Sequence, residues 1–199
     1  MENTCTRLIR DILDSTGQME ANLKAEYLHR AEDILKQRPA PGQWSIGETA
    51  VHTSIVMEIY LAHIKDSLRH ASPTVQSKTC KSGFNGRLMI KLLAPKDGRI
   101  RWKIPTLAHM EPQQDDNESA LEHVQDLITT LGNFRSLTRE CESYDLNKVK
   151  VSSALGKLIR FRLGDALRIV ATHNERHLVQ MSETLKKVAS ELPAYSSGS

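Results

Sequence analysis

The stretch GDALRIVATHNERHLVQM, residues 164–181, decides the fold. Its apolar residues Ala166, Ile169 and Val170 share one helical face with His173, His177 and, further on, Thr184, and the pattern runs from about Gly164 to Ala189. At 3.6 residues per turn, positions i and i+4 project from the same side, so both imidazoles point at one place on the core-facing stripe. Two histidines so placed can share a metal ion, but such a site needs a further ligand. The spacing by itself is weak, because eight histidines in 199 residues would give about 0.3 such pairs by chance. The apolar face makes the pair informative: one buried histidine finds a core partner readily, whereas two together call for a shared one.

Three more helical patterns precede it. In WSIGE, Ser45 and Glu48 form an S-x-x-E capping box. The helix it opens runs through Ile55, Val56, Ile59 and Leu68 to about His70. Upstream, Leu8, Ile12, Met19, Leu23, Tyr27 and Ile34 recur at steps of four and seven, which predicts a helix from Thr4 to Gln37. A kink or restart is expected near Thr16, where Asp14, Ser15 and Thr16 precede Gly17, and Pro39 and Pro41 end the helix. A third helix is predicted from Asn117 to Cys141 on Leu121, Val124, Ile128, Leu131 and Phe134.

Between the second and third helices, residues 71–114 hold four of the seven prolines. FNGRLMIKLLA there reads as a short helix, and RWKIPTLAHMEP as extended chain, since Pro105 and Pro112 bias their predecessors away from helix. A structureless loop of this length is unusual in a compact domain, so the segment is expected to cap a cleft. Ser143 to Arg162 reads as irregular. With no period-two strand and no internal repeat, the fold class is an all-α four-helix bundle with a long insertion between its second and third helices. Residues 1–190 are expected to form one domain and 191–199 a disordered tail.

Composition excludes several functions. The 27 basic and 24 acidic residues leave a formal charge of +3, and the signs are interspersed, which argues against nucleic-acid binding. The basic run from Lys148 to Arg168, with Asp165 its only acid, reads as a solvated loop and helix start. Cys5, Cys80 and Cys141 are odd in number with no C-x-x-C, as expected of reduced thiols in the cytoplasm. No signal-peptide core and no membrane-length apolar run is present.

The missing ligand is sought on a facing helix. His52 lies one turn past Glu48, on the stripe of Ile55, Val56 and Ile59; His63 lies on nearly the same stripe, roughly 16 Å further along the axis. The two cannot share an ion, and geometry favours His52 only slightly, because it stands nearer the anchored helix start. Common zinc motifs fail on inspection. Glu175 lies midway between the histidines, about 200° around the helix from His173, so neither H-E-x-x-H nor H-x-x-E-H is present. A deaminase P-C-x-x-C, a nucleophile elbow, a P-loop and a dinucleotide fingerprint are also absent.

PGQWSIGETAVHTS, with Trp44, Ser45, Glu48 and His52, followed over a hundred residues later by His173, Arg176, His177 and Gln180, resembles the DinB and YfiT-like superfamily. WKIPTLAHMEP is similar to the segment those proteins carry before their third helix, and the likeness runs from about Leu8 to Leu185. The resemblance implies an up-down-down-up four-helix bundle and a divalent metal, zinc or nickel, held by His52, His173 and His177. It also implies kinship with thiol S-transferases and isomerases that use bacillithiol or mycothiol.

Three neutral imidazoles leave a coordination position open, as in catalytic rather than structural sites. The expected function is therefore a metal-dependent thiol S-transferase or hydrolase acting on a small thiol and an electrophile, in a homodimer. The alternative is a non-catalytic metal-binding or dimerisation bundle of the stress-response type. Glu48 is assigned to capping, and His109 and Glu111 to exposed loop. Trp44 and Trp102 are read as core anchors, and Arg176 as projecting off the metal face.

Overall fold

The computed structural model describes residues 4–113 and 118–191. Residues 192–199 of the expected tail and the expected start of the third helix at Asn117 lie outside them, while Glu191, placed in that tail, is the last residue of the final helix. Four long helices form the bundle: α1 (Thr4–Glu26), α3 (Ile46–Arg69), α5 (Ala120–Glu140) and α6 (Leu163–Glu191). The shorter α2 (Glu32–Lys36) follows α1, and α4 (Phe84–Leu93) lies in the insertion.

Contacts between the ends give the topology. Leu8 near the start of α1 lies against Gly164 at the start of α6, so these two run the same way. Thr49, early in α3, meets Gln180, late in α6, so α3 runs against α6. Gly47 lies against Ala120, which sets the starts of α3 and α5 side by side; a Cβ at Gly47 would stand 2.7 Å from that of Ala120. Glu32, just past α1, reaches the start of α5. The order is up-down-down-up, with α1 and α3 on one diagonal and α5 and α6 on the other. Ile9, Leu23, Met57, Ile64, Leu131, Phe134, Leu167 and Met181 fill the core between them.

The capping box is present as read: the Glu48 N–H donates to Ser45 Oγ at 3.1 Å, and the Ser45 N–H to the Glu48 carboxylate at 2.8 Å. Three local expectations are corrected. α1 passes through Gly17 without interruption, with the Ser15 and Thr16 hydroxyls bonded back to the Ile12 carbonyl. It ends at Glu26, however, well short of Gln37. The chain turns there and places the Glu32 carboxylate on the Ala120 and Leu121 N–H groups, at 2.6 and 3.2 Å, capping α5. The third correction is a hairpin inside the segment read as irregular. Strands β1 (Lys150–Ser153) and β2 (Gly156–Arg162) pair antiparallel, with Val151 opposite Phe161 and both buried. Period two is hidden there because Leu158 and Ile159, adjacent in sequence, both lie exposed.

The insertion folds as α4, a run without regular secondary structure over 101–107 and, within the stretch expected to be extended, a 3-10 turn at Ala108–Met110. Asp165, buried at the start of α6, anchors it: its carboxylate accepts from the Ser82 hydroxyl and, at 2.8 Å, from the Gly83 N–H. Gly86 packs so closely that a Cβ there would come within 2.4 Å of the Asp165 carboxyl carbon. No helix among the described residues is long and apolar enough to cross a membrane.

Candidate metal centre

α3 and α6 run antiparallel, so a residue two turns into α3 faces residues between a third and half of the way along α6. That brings His52 beside His173 and His177, all three less than a tenth exposed. One nitrogen from each lies within 4.8 Å of the other two, an arrangement able to hold a metal ion. The Nε2 atoms of His173 and His177 are 3.1 Å apart. Tetrahedral nitrogen ligands at about 2.0–2.1 Å from an ion would themselves stand roughly 3.3 Å apart.

Two of the rings are oriented from behind. His52 Nδ1–H donates to the Met110 carbonyl at 2.8 Å, and His177 Nδ1–H to Gln180 Oε1 at 3.0 Å. Each bond leaves the ring's Nε2 lone pair facing the cluster. Gln180 is itself held by Thr49, whose hydroxyl donates to the Ser45 carbonyl at 2.7 Å. His173 Nδ1 is buried and makes no hydrogen bond of good geometry among the described residues.

Electrostatics keep the rings neutral. Burial brings His173 down to about 3, with His52 and Arg176 adding to the effect. Burial, then His173 and His52, hold His177 well below the usual imidazole range. His52 is also lowered by burial, against the Met110 carbonyl, which acts the other way. Neutral imidazoles with inward lone pairs suit zinc, nickel, copper or iron, and the absence of a carboxylate from the cluster disfavours magnesium or calcium.

A cavity of about 580 Å³ opens beside the cluster, between α3, α6, the hairpin and the insertion. The insertion therefore does cap a cleft, with Met89, Ile104, Leu107 and Met110 on its wall. Trp44 lines it too, its ring centred 4.8 Å from that of His52. Trp102, by contrast, is 56% exposed. Neither tryptophan is the core anchor expected. Arg176 is corrected more sharply: it is 7% exposed, lines the cavity, and donates through Nη2 to the Trp102 carbonyl. A one-residue step from His177 leaves its Cα off the metal face, but the long side chain reaches over the turn to the insertion.

Other residues stand where the sequence placed them. His63 is outside the cluster and donates from Nδ1 to the Ser152 carbonyl at 3.0 Å. Glu48 caps α3 and pairs with Arg38. Glu175, His109 and Glu111 are exposed. Burial and the neighbouring Cys5 push the Cys80 thiol up to about 12, which removes it as a nucleophile. Sequence reading missed two supports. Gln180, at i+3 from His177, was detectable by helical spacing; the Met110 carbonyl, a backbone group 58 residues from His52, carried no signal at all.

The family model described as the DinB superfamily matches residues 28–181, well over half of the chain. No curated protein and no solved structure matches.

Proposed function

Because the chain belongs to the DinB superfamily and three buried imidazoles converge beside a cleft, we propose that it is a metal-dependent thiol S-transferase. In this reading His52, His173 and His177 hold a divalent ion, zinc or nickel, and metal-dependent hydrolysis is the close variant. Such an ion supplies Lewis acidity, lowering the pKa of a coordinated thiol or water so that either is a competent nucleophile near neutral pH.

The chain's own contribution is positioning and exclusion of water. Met110 and Gln180 fix the directions of two rings. Neutral rings keep their lone pairs free across the physiological pH range, because burial opposes their protonation. The insertion roofs the cleft with apolar side chains, so a small thiol and an electrophile would meet in a medium of low dielectric constant, where electrostatic interactions are stronger.

The observation that carries the reading is the 3.1 Å approach of two Nε2 atoms with His52 facing them, next to a cavity large enough for a small organic molecule. A purely structural site would be closed by a fourth protein ligand. Among the described residues the group comprises three histidines alone, which favours the catalytic reading over a non-catalytic bundle. The test is metal analysis of protein purified without a histidine tag. Near-stoichiometric zinc or nickel is expected in the wild type and its loss in His173→Ala. A wild type as metal-free as the variant would overturn the proposal. Transfer of a low-molecular-weight thiol to 1-chloro-2,4-dinitrobenzene, faster with the loaded protein than with His173→Ala, would then separate transferase from hydrolase.

A further inference from the structure

Arg176 is a buried cation that no acidic group among the described residues neutralises. Its Nη2 donates to the Trp102 carbonyl, while Nη1 is buried without a hydrogen-bond partner. None of the ion pairs among the described residues involves it. Tying down the insertion needs one N–H, and a neutral glutamine would provide it. A guanidinium withdrawn from water with no counter-ion is costly, and such groups are normally paired.

The rest of the cavity says what kind of ligand would pair with it. Charged residues on its wall are Lys103, Arg176, Glu183 and Lys187, three cations against one anion. Lys103 and Lys187 are exposed and stand at the rim, whereas Arg176 is inside. Val56, Met89, Leu93, Ile104 and Ile169 make the remaining wall largely apolar. A ligand complementary to this surface has an apolar body and a single anionic head.

We propose that the cavity binds an organic monocarboxylate, with the Arg176 guanidinium pairing with the carboxylate and the apolar body lying under the insertion. The carboxylate would be part of the electrophile or ester that the neighbouring metal centre acts on. That catalytic meaning rests on the function proposed above; the binding itself does not require the ion. Arg176 is then a specificity-determining residue as well as the tie to Trp102.

The experiment is calorimetric titration of the full chain, zinc-loaded and chelator-treated, with decanoate and with its neutral isostere decanamide. A charge-assisted hydrogen bond made out of water is expected to give the wild type at least about a tenfold preference for decanoate in both preparations. Arg176→Gln is expected to bring the ratio to about one while decanamide affinity stays within about twofold. Lys103→Gln is expected to keep the preference. No preference in the wild type, or a preference that survives Arg176→Gln, overturns the inference. Should Arg176→Gln not fold, Arg176→Lys serves, with a preference reduced but above one expected and an undiminished one contrary. The two readings fail separately. Zinc bound by the triad without a decanoate preference sinks this one alone, and a preference without zinc sinks only the metal reading.

Discussion

At the scale of single residues, the centre depends on what stands behind each imidazole. Gln180 is the one replaceable support, because the acceptor for His52 is the main-chain carbonyl of Met110. Gln180→Ala is expected to weaken zinc binding roughly 10- to 100-fold, as loss of such orienting partners generally does, with the fold unchanged. Competition with a chromogenic chelator measures it, and an unaltered affinity would mean that His177 needs no orientation. The depressed histidines also set a pH dependence for the metal-free protein. In the unfolded chain an imidazole titrates near 6.5, whereas burial holds His173 at about 3. The unfolded state therefore binds more protons below pH 6.5, and stability falls as pH drops from about 6.5 towards 3. One imidazole that stays neutral in the fold costs about 2 kcal/mol at pH 5 relative to neutral pH. Urea unfolding of chelator-treated protein at pH 7 and pH 5 checks the sign; equal midpoints would contradict it.

At the scale of the element, α3 carries His52 about two turns beyond its capped start. The cap does more than end a helix. Ser45 offers its carbonyl to Thr49, which in turn accepts from Gln180, so the helix start, the hydroxyl and the support of His177 form one chain of hydrogen bonds. Glu48 stays ionised there: burial would raise it, but Arg38 and the Ser45 N–H outweigh that and hold it below the usual carboxylate range. Ser45→Ala removes the acceptor for the Glu48 N–H and is expected to cost about 1 kcal/mol of stability in chemical denaturation. A change within about 0.3 kcal/mol would show that the Glu48 half of the box suffices.

At the scale of the whole molecule, the insertion is held by a few polar anchors to the start of α6 and by apolar contact over the cleft. Asp165 is the deepest of these, taking bonds from Ser82 and Gly83. Asp165→Ala leaves those donors unpaired while removing little packing from the bundle core. The expected outcome is faster amide hydrogen exchange confined to about residues 78–93, with exchange in α3 and α5 little changed. Uniform acceleration across all four helices would instead make the insertion an integral part of the folding unit.

Sequence by itself determined what is local. The stripe of α6 put Ala166, Ile169, Val170, His173, His177 and Thr184 on one face, and every one of them is buried. Ser45 and Glu48 marked the start of α3 to the residue, because a capping box is closed within one turn. The same reading failed wherever a distant group decided the outcome. α1 stops where Glu32 is needed by α5, β1 and β2 pair although β2 exposes neighbouring apolar residues, and Arg176 turns inward to a carbonyl 74 positions away in sequence. Spacing also left His52 and His63 nearly equivalent. Helical periodicity fixes which way a side chain faces on its own axis; which residue it meets depends on the rotation, direction and axial shift with which two helices dock. The family resemblance pointed to His52, and the antiparallel packing of α3 on α6 is what sets His52, rather than His63, beside His173 and His177.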